Sequence, residues 1–278
     1  MLGIVVVSYR SDELTVRFVR EELAKITVPY QVVVVANGYD AAQAERLADR
    51  IPEAVVLPAE NRGFAAGNNL GVRWLEEHVH PTHILLSNND IRFVSDRVVE
   101  TLVETAIANP EAGAIGPEIV GPKGNRQGPE PYMTLWDRYV WMYLCTPFLS
   151  AEKKRKRFSL DYPSLAEAGF HYKLSGAFLL VDAEAFRQVG GLDERTFLYG
   201  EENILSERLS GIGRKMYFDP SVTVLHEHEK TIGRLHGERE RAMMQFDSMA
   251  CYYRNYKGIS KLSVWVVRFL FSMILKVK

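Results

Sequence analysis

Three apolar residues, Ile84-Leu85-Leu86, run without a break into Ser87-Asn88-Asn89-Asp90. A short apolar run of this kind marks a strand covered by helices on both faces, as in a parallel sheet. In open α/β sheets, ligands sit just beyond the carboxyl ends of the strands. Asp90, with two amide side chains beside it, therefore stands where a ligand is expected. A carboxylate there can hold a divalent cation through oxygen, and the cation can hold phosphates. The same residues also suit an Asx turn or a helix N-cap. Taken alone, the stretch leans slightly towards that structural role.

The flanking sequence builds a sheet around this strand. Leu2 to Val7 reads as a first strand, followed by a Ser8-Tyr9-Arg10-Ser11 turn. Tyr30 to Val35, β-branched from Val32 onward, reads as a second, and Ala54 to Leu57 as a third. Helices are expected over about 12–25, on the spacing of Leu14, Phe18, Leu23 and Ile26, and over about 41–50. Such alternation gives a parallel, right-handed α/β layer. Further along, a helix is expected from a Ser95 cap to Ala108, with two more over 182–189 and 204–211. Strands are expected over 114–117, 173–181, 215–218 and 222–225.

Between the third strand and the central one lies Glu60-Asn61-Arg62-Gly63-Phe64-Ala65-Ala66-Gly67-Asn68-Asn69. Its small residues let backbone approach a ligand or another element closely, and Arg62 has the fork that suits a phosphate. The segment is neither a P-loop nor a GxGxxG fingerprint, and none follows strand one, so a dinucleotide-dependent dehydrogenase is disfavoured. A close-packed helix start is the competing reading. Glu201-Glu202 places two adjacent carboxylates ahead of a helix. One of them can act as general base if its surroundings raise its pKa, although acidic residues also simply favour a first helical turn. His226 and His228, two residues apart, form a weak metal-binding signal.

Composition narrows the partners. A net charge of −1 gives no support for a nucleic-acid partner. Cys145 and Cys251 are too few for a disulfide framework and fit a reducing compartment. Met1 to Val7 lacks a basic n-region and reads as a strand, so a cytoplasmic location is expected. The aromatic segment over 132–148 suits core, an acceptor groove or lipid. The basic run over 153–157 suits a solvated loop. The apolar tail over 259–278 carries Lys261, Arg268, Lys276 and Lys278, too charged for a confident transmembrane span. Three seats stay open for it: a membrane interface, its own domain, or a second copy of the chain in a homodimer.

Taken in order, these pieces resemble family 2 glycosyltransferases of the GT-A fold, especially the rhamnosyltransferase-like members. The resemblance rests on Val7-Ser8-Tyr9, Asn37-Gly38, the segment from Glu60 to Asn69, Leu86-Ser87-Asn88-Asn89-Asp90, Ser175-Gly176-Ala177-Phe178, Gly190-Gly191-Leu192-Asp193-Glu194, Phe197-Leu198-Tyr199-Gly200-Glu201-Glu202 and His226. It implies a mostly parallel Rossmann-like sheet flanked by helices. The catalytic domain would span 1–231, with a nucleotide-binding half over 1–117 and an acceptor-binding half over 118–231. Beyond it, the apolar tail makes 232–278 a helical extension, for which peripheral contact with the inner face of the cytoplasmic membrane is one of the open seats. The implied activity is inverting transfer of a sugar from a UDP- or dTDP-linked donor to a glycan or lipid-linked glycan acceptor.

The resemblance also implies roles. Asp90 and His226 would serve Mg2+ or Mn2+. Glu202 would be the base, with Glu201 as the fallback. Ser8, Tyr9, Arg10, Asn37, Asp40, Asn61, Arg62, Gly63, Asn68, Asn88 and Asn89 would surround the nucleotide-sugar. Three positions depart from the family pattern. Ala36 stands where an acid usually grips the base, with Asp40 as its possible replacement. Asn88 replaces the first Asp of the metal motif, and Ile204 replaces an Asp after the carboxylate pair. Ala36 and Ile204 motivate an alternative: a nucleotide-sugar or glycan binding protein of the same fold with impaired catalysis.

Overall fold

A computed structural model describes residues 1–150, 152–153, 163–227 and 237–277. The basic run beyond Lys153, His228 and the expected domain boundary at 231 lie outside these residues. The first strands fall where the β-branched runs put them: β1 Leu2–Ser8, β2 Tyr30–Asn37, β3 Val55–Ala59 and β4 His83–Ser87. They pair in parallel in the order β3-β2-β1-β4. Between them run α1, α-helical over Asp12–Arg17 and continuing through a π turn and a 3-10 turn to Lys25, then α2 (Ala41–Arg50) and α3 (Phe64–His78). The small residues of α3 prove to be a packing device. A Cβ on Gly71 would lie 2.5 Å from Val5, and one on Gly67 3.1 Å from Val7, so the helix lies flat on β1.

The rest of the sheet is mixed. After β5 (Ile91–Phe93), α4 (Val98–Ala108) and β6 (Ala112–Val120) come β7 (Gly169–His171), β8 (Phe178–Asp182) and β9 (Lys215–His226). The full order is β3-β2-β1-β4-β8-β6-β9-β5, with β7 against β9. β8 runs antiparallel to both β4 and β6, and β5 and β7 run antiparallel to β9. Expectation and structure part at four places. Arg97, not Ser95, precedes α4. β8 starts at Phe178 because Ser175 to Ala177 form a turn. The strands over 215–218 and 222–225 are one strand interrupted by a bulge at 219–223, where Ser221 N donates to Asp219 Oδ1 at 3.0 Å. The carboxylate pair belongs to the first turn of its helix, not to the loop before it.

Alternate residues of the strands feed two cores, as the two-residue period requires. Ile4, Val6, Val34 and Leu85 face α1 and α4 through Phe18 and Leu102. Val5, Val35 and Leu86 face α3, α6 (Ala183–Gln188) and α7 (Glu201–Gly211) through Leu75, Phe186 and Leu205. A third core lies outside the sheet. There α8 (Glu238–Tyr256) and α9 (Lys261–Val277) pack with a helix starting at Asp137, joining Tyr139, Phe246, Tyr252, Val267 and Phe271. One face of the apolar tail is thus seated on its own domain. Ile204 is buried in this core, reaching it from α7. Cys145 and Cys251 are free thiols, half-buried.

Candidate active site

The end of β4 and the end of β9 meet. Ile91 in β5 pairs with His226 in β9, and Glu227 N donates to Asp90 O at 2.9 Å. This ties the carboxylate beyond the central strand to the histidine at the last position of the sheet. Asp90 Oδ1 lies 3.1 Å from His226 Nε2. Asn88 Nδ2, which can only donate, is 3.2 Å from the same nitrogen. His226 Nδ1 is 2.6 Å from Gln127 Oε1, which can only accept. Gln127 thus orients the ring through Nδ1, with Nε2 turned towards Asp90 and Asn88. Asp90 Oδ1 and His226 Nε2 thus form a close oxygen–nitrogen pair at this end of the sheet. Among the described residues no group of three His, Cys, Asp or Glu side chains could hold a metal. Two protein donors completed by phosphates and water nonetheless suit Mg2+ or Mn2+.

Gln127 was not singled out by the sequence. It lies in the Gly- and Pro-rich stretch after β6, read only as loop, and its N–H pairs with Ile119 O at 2.9 Å. A polar residue in a loop carries no periodic signal, so only the pairing of β6 with β9 reveals it.

The carboxylate pair reaches the same end of the sheet through β8. Because β8 is reversed, its first residues lie beside the last residues of β4. Asn88 N donates to Ala177 O at 2.8 Å, and Gly176 N donates to Glu202 Oε1 at 3.0 Å. A Cβ on Gly176 would stand 2.8 Å from that oxygen, which explains the small residue. Glu201 and Glu202 occupy the first turn of α7, after Gly200 at φ +87°. Glu201 is 3% exposed and its Oε1 has no hydrogen-bond partner. Burial first, then the charge of Glu202, push its pKa up to about 8. The two carboxylates are therefore inequivalent: one is buried and held towards its acid form, the other rests on the Gly176 backbone.

The remaining predicted residues divide. Ser8 is buried and accepts from Thr15 Oγ1 at 2.8 Å. Tyr9 packs its ring on Gly38, and Arg10 is exposed with its guanidinium 5.4 Å from the Tyr9 ring. Asn37 Nδ2 donates to Asn61 Oδ1 at 3.0 Å, and Asn37 Oδ1 is buried without a hydrogen-bond partner. Gly63, at φ +98°, touches the loop before the carboxylate pair: Phe64 N donates to Phe197 O at 2.9 Å. Asn68 is fully buried, its Nδ2 on Phe64 O at 2.9 Å. Arg62 is exposed and paired with Glu194 at 3.3 Å. Asn89 turns inward, its amide donating to Ser11 Oγ and Thr15 Oγ1 at 2.7 and 2.8 Å. Asp40 caps α2, accepting from Gln43 N at 2.8 Å. Asn89 and Asp40 thus act locally, tying the β1–α1 turn and starting a helix.

Comparisons with known proteins bear on the family and the fold. The chain matches the family described as Glycosyltransferase like family 2 over residues 2–245. It is 28% identical over 255 residues to an N-acetylglucosaminyl-diphospho-decaprenol L-rhamnosyltransferase of Mycobacterium tuberculosis, covering 84% of this chain and 78% of that one. Among solved structures it is similar to a mannosyltransferase of Pyrobaculum calidifontis in complex with GDP-Man and Mn2+. There the TM-score is 0.57 at 15% identity, over 98% of this chain and 69% of the other. It is also similar to S. aureus TarS in complex with UDP-GlcNAc, with a TM-score of 0.54 at 10% identity, over 97% and 71% of the two chains. At such identities the last two bear on the fold alone.

Proposed function

The chain belongs to the family 2 glycosyltransferases, and from that premise we propose that it transfers a sugar, rhamnose being the favoured unit, with inversion from a UDP- or dTDP-linked donor to a lipid-linked glycan. The supporting observation is the run of contacts Asp90–His226, Asn88–Ala177 and Gly176–Glu202. It brings a cation-binding pair and a carboxylate to one end of the sheet. The relative from Mycobacterium tuberculosis, whose name specifies an N-acetylglucosaminyl-diphospho-decaprenol, supports a lipid-linked acceptor. The enzyme would meet such an acceptor at the inner face of the cytoplasmic membrane.

Glu202 is the base in this reading. It takes the proton of the acceptor hydroxyl as that oxygen bonds to the anomeric carbon. The bond from that carbon to the diphosphate oxygen breaks in the same displacement, which inverts the centre. Glu201, kept in its acid form by burial, adds no second charge beside it. Asp90 and His226 Nε2 would hold Mg2+ or Mn2+, which neutralises charge on a departing diphosphate when bound. Gln127 orients the imidazole so that Nε2 faces that position. Asn37 Oδ1, an unused buried acceptor, fits the N3–H of uracil or thymine and supplies the recognition that Ala36 cannot.

The test is turnover of UDP- and dTDP-sugars with Mn2+ for wild type, Glu202→Gln and Asp90→Ala. Glu202→Gln is expected to lose about 10²- to 10⁴-fold in kcat while retaining donor binding; Asp90→Ala loses both. Equal turnover in all three would overturn the assignments. The binding-protein reading rests on Ala36 and Ile204. Nucleotide binding by calorimetry with no turnover on a broad acceptor panel would favour it.

A further inference from the structure

The last helix is apolar on two faces, and its own domain covers only one. Val264, Val267 and Phe271 are buried against α8 and the helix that starts at Asp137. A surface helix that buries one stripe normally carries polar residues on the opposite side. On α9 that side consists of Leu262, Trp265, Phe269 and Met273, exposed by 70%, 64%, 55% and 45%. Their spacing of three, four and four residues makes a single stripe along the helix. Phe148, exposed by 88%, belongs to the neighbouring segment whose Tyr143 packs on Phe271.

Charge says what covers this stripe. After Asp247 the sequence has no acidic residue, while it has Arg254, Lys257, Lys261, Arg268, Lys276 and Lys278. The chain as a whole balances 34 basic against 35 acidic residues, so the imbalance is local. Arg268 is committed to Asp247 and Lys257 to Glu207. Arg254, Lys261 and Lys276 are exposed, the last two near the ends of the stripe. An apolar aromatic stripe with Lys261 and Lys276 near its ends is complementary to an anionic bilayer surface, with rings in the interface and ammonium groups among phosphates. No helix among the described residues is long and apolar enough to cross a membrane, and a stripe of this kind suits a helix lying along a surface.

We infer that the outer face of α9, centred on Trp265 and Phe269, docks the protein on the surface of an anionic phospholipid bilayer. The inference deepens the reading of a lipid-linked acceptor and shares with it the expectation of a membrane. The docked helix is linked to the site: Ile204, three residues after Glu201 on α7, is buried in the same core as Val267 and Phe271. Met249 on α8 stands 3.3 Å from where a Cβ on Gly200 would lie. Docking therefore fixes the mouth of the site at a set height above the lipid headgroups.

The test is flotation of the full chain with vesicles of phosphatidylcholine alone and of phosphatidylcholine with phosphatidylglycerol, without donor or acceptor. Wild type is expected to float with the anionic vesicles and to be released by high salt, with a blue shift of tryptophan emission on binding. The double variant Trp265→Gln/Phe269→Gln changes only exposed side chains, and its unchanged circular dichroism melt is to be shown alongside. It is expected to lose about tenfold or more in partitioning. Lys261→Gln/Lys276→Gln is expected to lose the preference for anionic lipid. Failure of wild type to float at low salt, or equal flotation of the double variant, overturns the inference. So does a stable dimer in solution that the double variant dissolves while vesicle binding is absent; the stripe is then covered by a second copy. Because no sugar is present, these outcomes are separate from those of the transfer assay: flotation without turnover counts against the proposed reaction, and turnover without flotation against the docking surface.

Discussion

Glu201 and Glu202 are neighbours in sequence, yet their environments push them to different work. Burial holds the Glu201 carboxyl as an acid up to about pH 8, whereas in the unfolded chain it ionises in the ordinary carboxylate range. The folded state therefore binds a proton that the unfolded state has lost, and this contribution to stability falls as pH rises from about 4.5 to 8. Glu201→Gln, which mimics the acid form, is expected to flatten the decline. Relative to wild type its melting temperature should rise more at pH 8 than at pH 5, as read by differential scanning calorimetry. At Asn37 the unused Oδ1 predicts that Asn37→Ala weakens UDP binding by about tenfold, the cost of one buried hydrogen bond, measured by isothermal titration. Asp90, His226 and Glu202 were singled out by their place in the family's motif order, and the structure brings Asp90 and His226 within 3.1 Å of each other. Asn89 and Asp40 were also expected at the site but serve local turns, and a sequence does not show which way an Asx side chain faces.

At the level of elements, the structure explains residues that looked like departures or mere flexibility. Ile204 is the anchor by which α7 meets the C-terminal helices. Restoring the family acid with Ile204→Asp would bury an unpaired carboxylate there. It is expected to destabilise the fold by about 3 kcal/mol or more, seen as a lower urea midpoint, with no gain in turnover. Gly63 is confined twice over: φ is +98°, and a Cβ would lie 2.3 Å from Phe197 O. Gly63→Ala is expected to cost at least about 2 kcal/mol and to lower kcat through displacement of the loop that leads to Glu202. The amino-terminal strands were readable to within a residue or two because β-branched runs and helical spacing repeat there. The reversal of β8, the bulge in β9 and the turn over Ser175 to Ala177 were not, because strand direction is set by long-range partners rather than by period.

For the molecule as a whole, metal and nucleotide should bind as a unit. On the proposed reading Asp90 and His226 would provide two donors, so a cation would gain its remaining ligands from phosphates and water. Mn2+ or UDP alone is expected to raise the melting temperature little, and both together by several degrees, as linkage requires for ligands that favour only the folded state. Asp90→Ala should abolish the joint effect. The fold class and the family were legible from the order of the motifs, since each short motif is weak and their sequence along the chain is not. The outer stripe of α9 was legible only as apolar composition. Which residues point inward depends on where α8 and the aromatic helix lie.

The reversed strand also imposes an order in time. During synthesis, β1 to β4 leave the ribosome first, and their parallel pairings are among themselves. The floor under Glu202 needs Phe178 and its neighbours to arrive and pair back against β4. A nascent chain can therefore bring Ser8 and Asn37 together before Gly176, Glu202 and His226, the later residues of the proposed site, have been made.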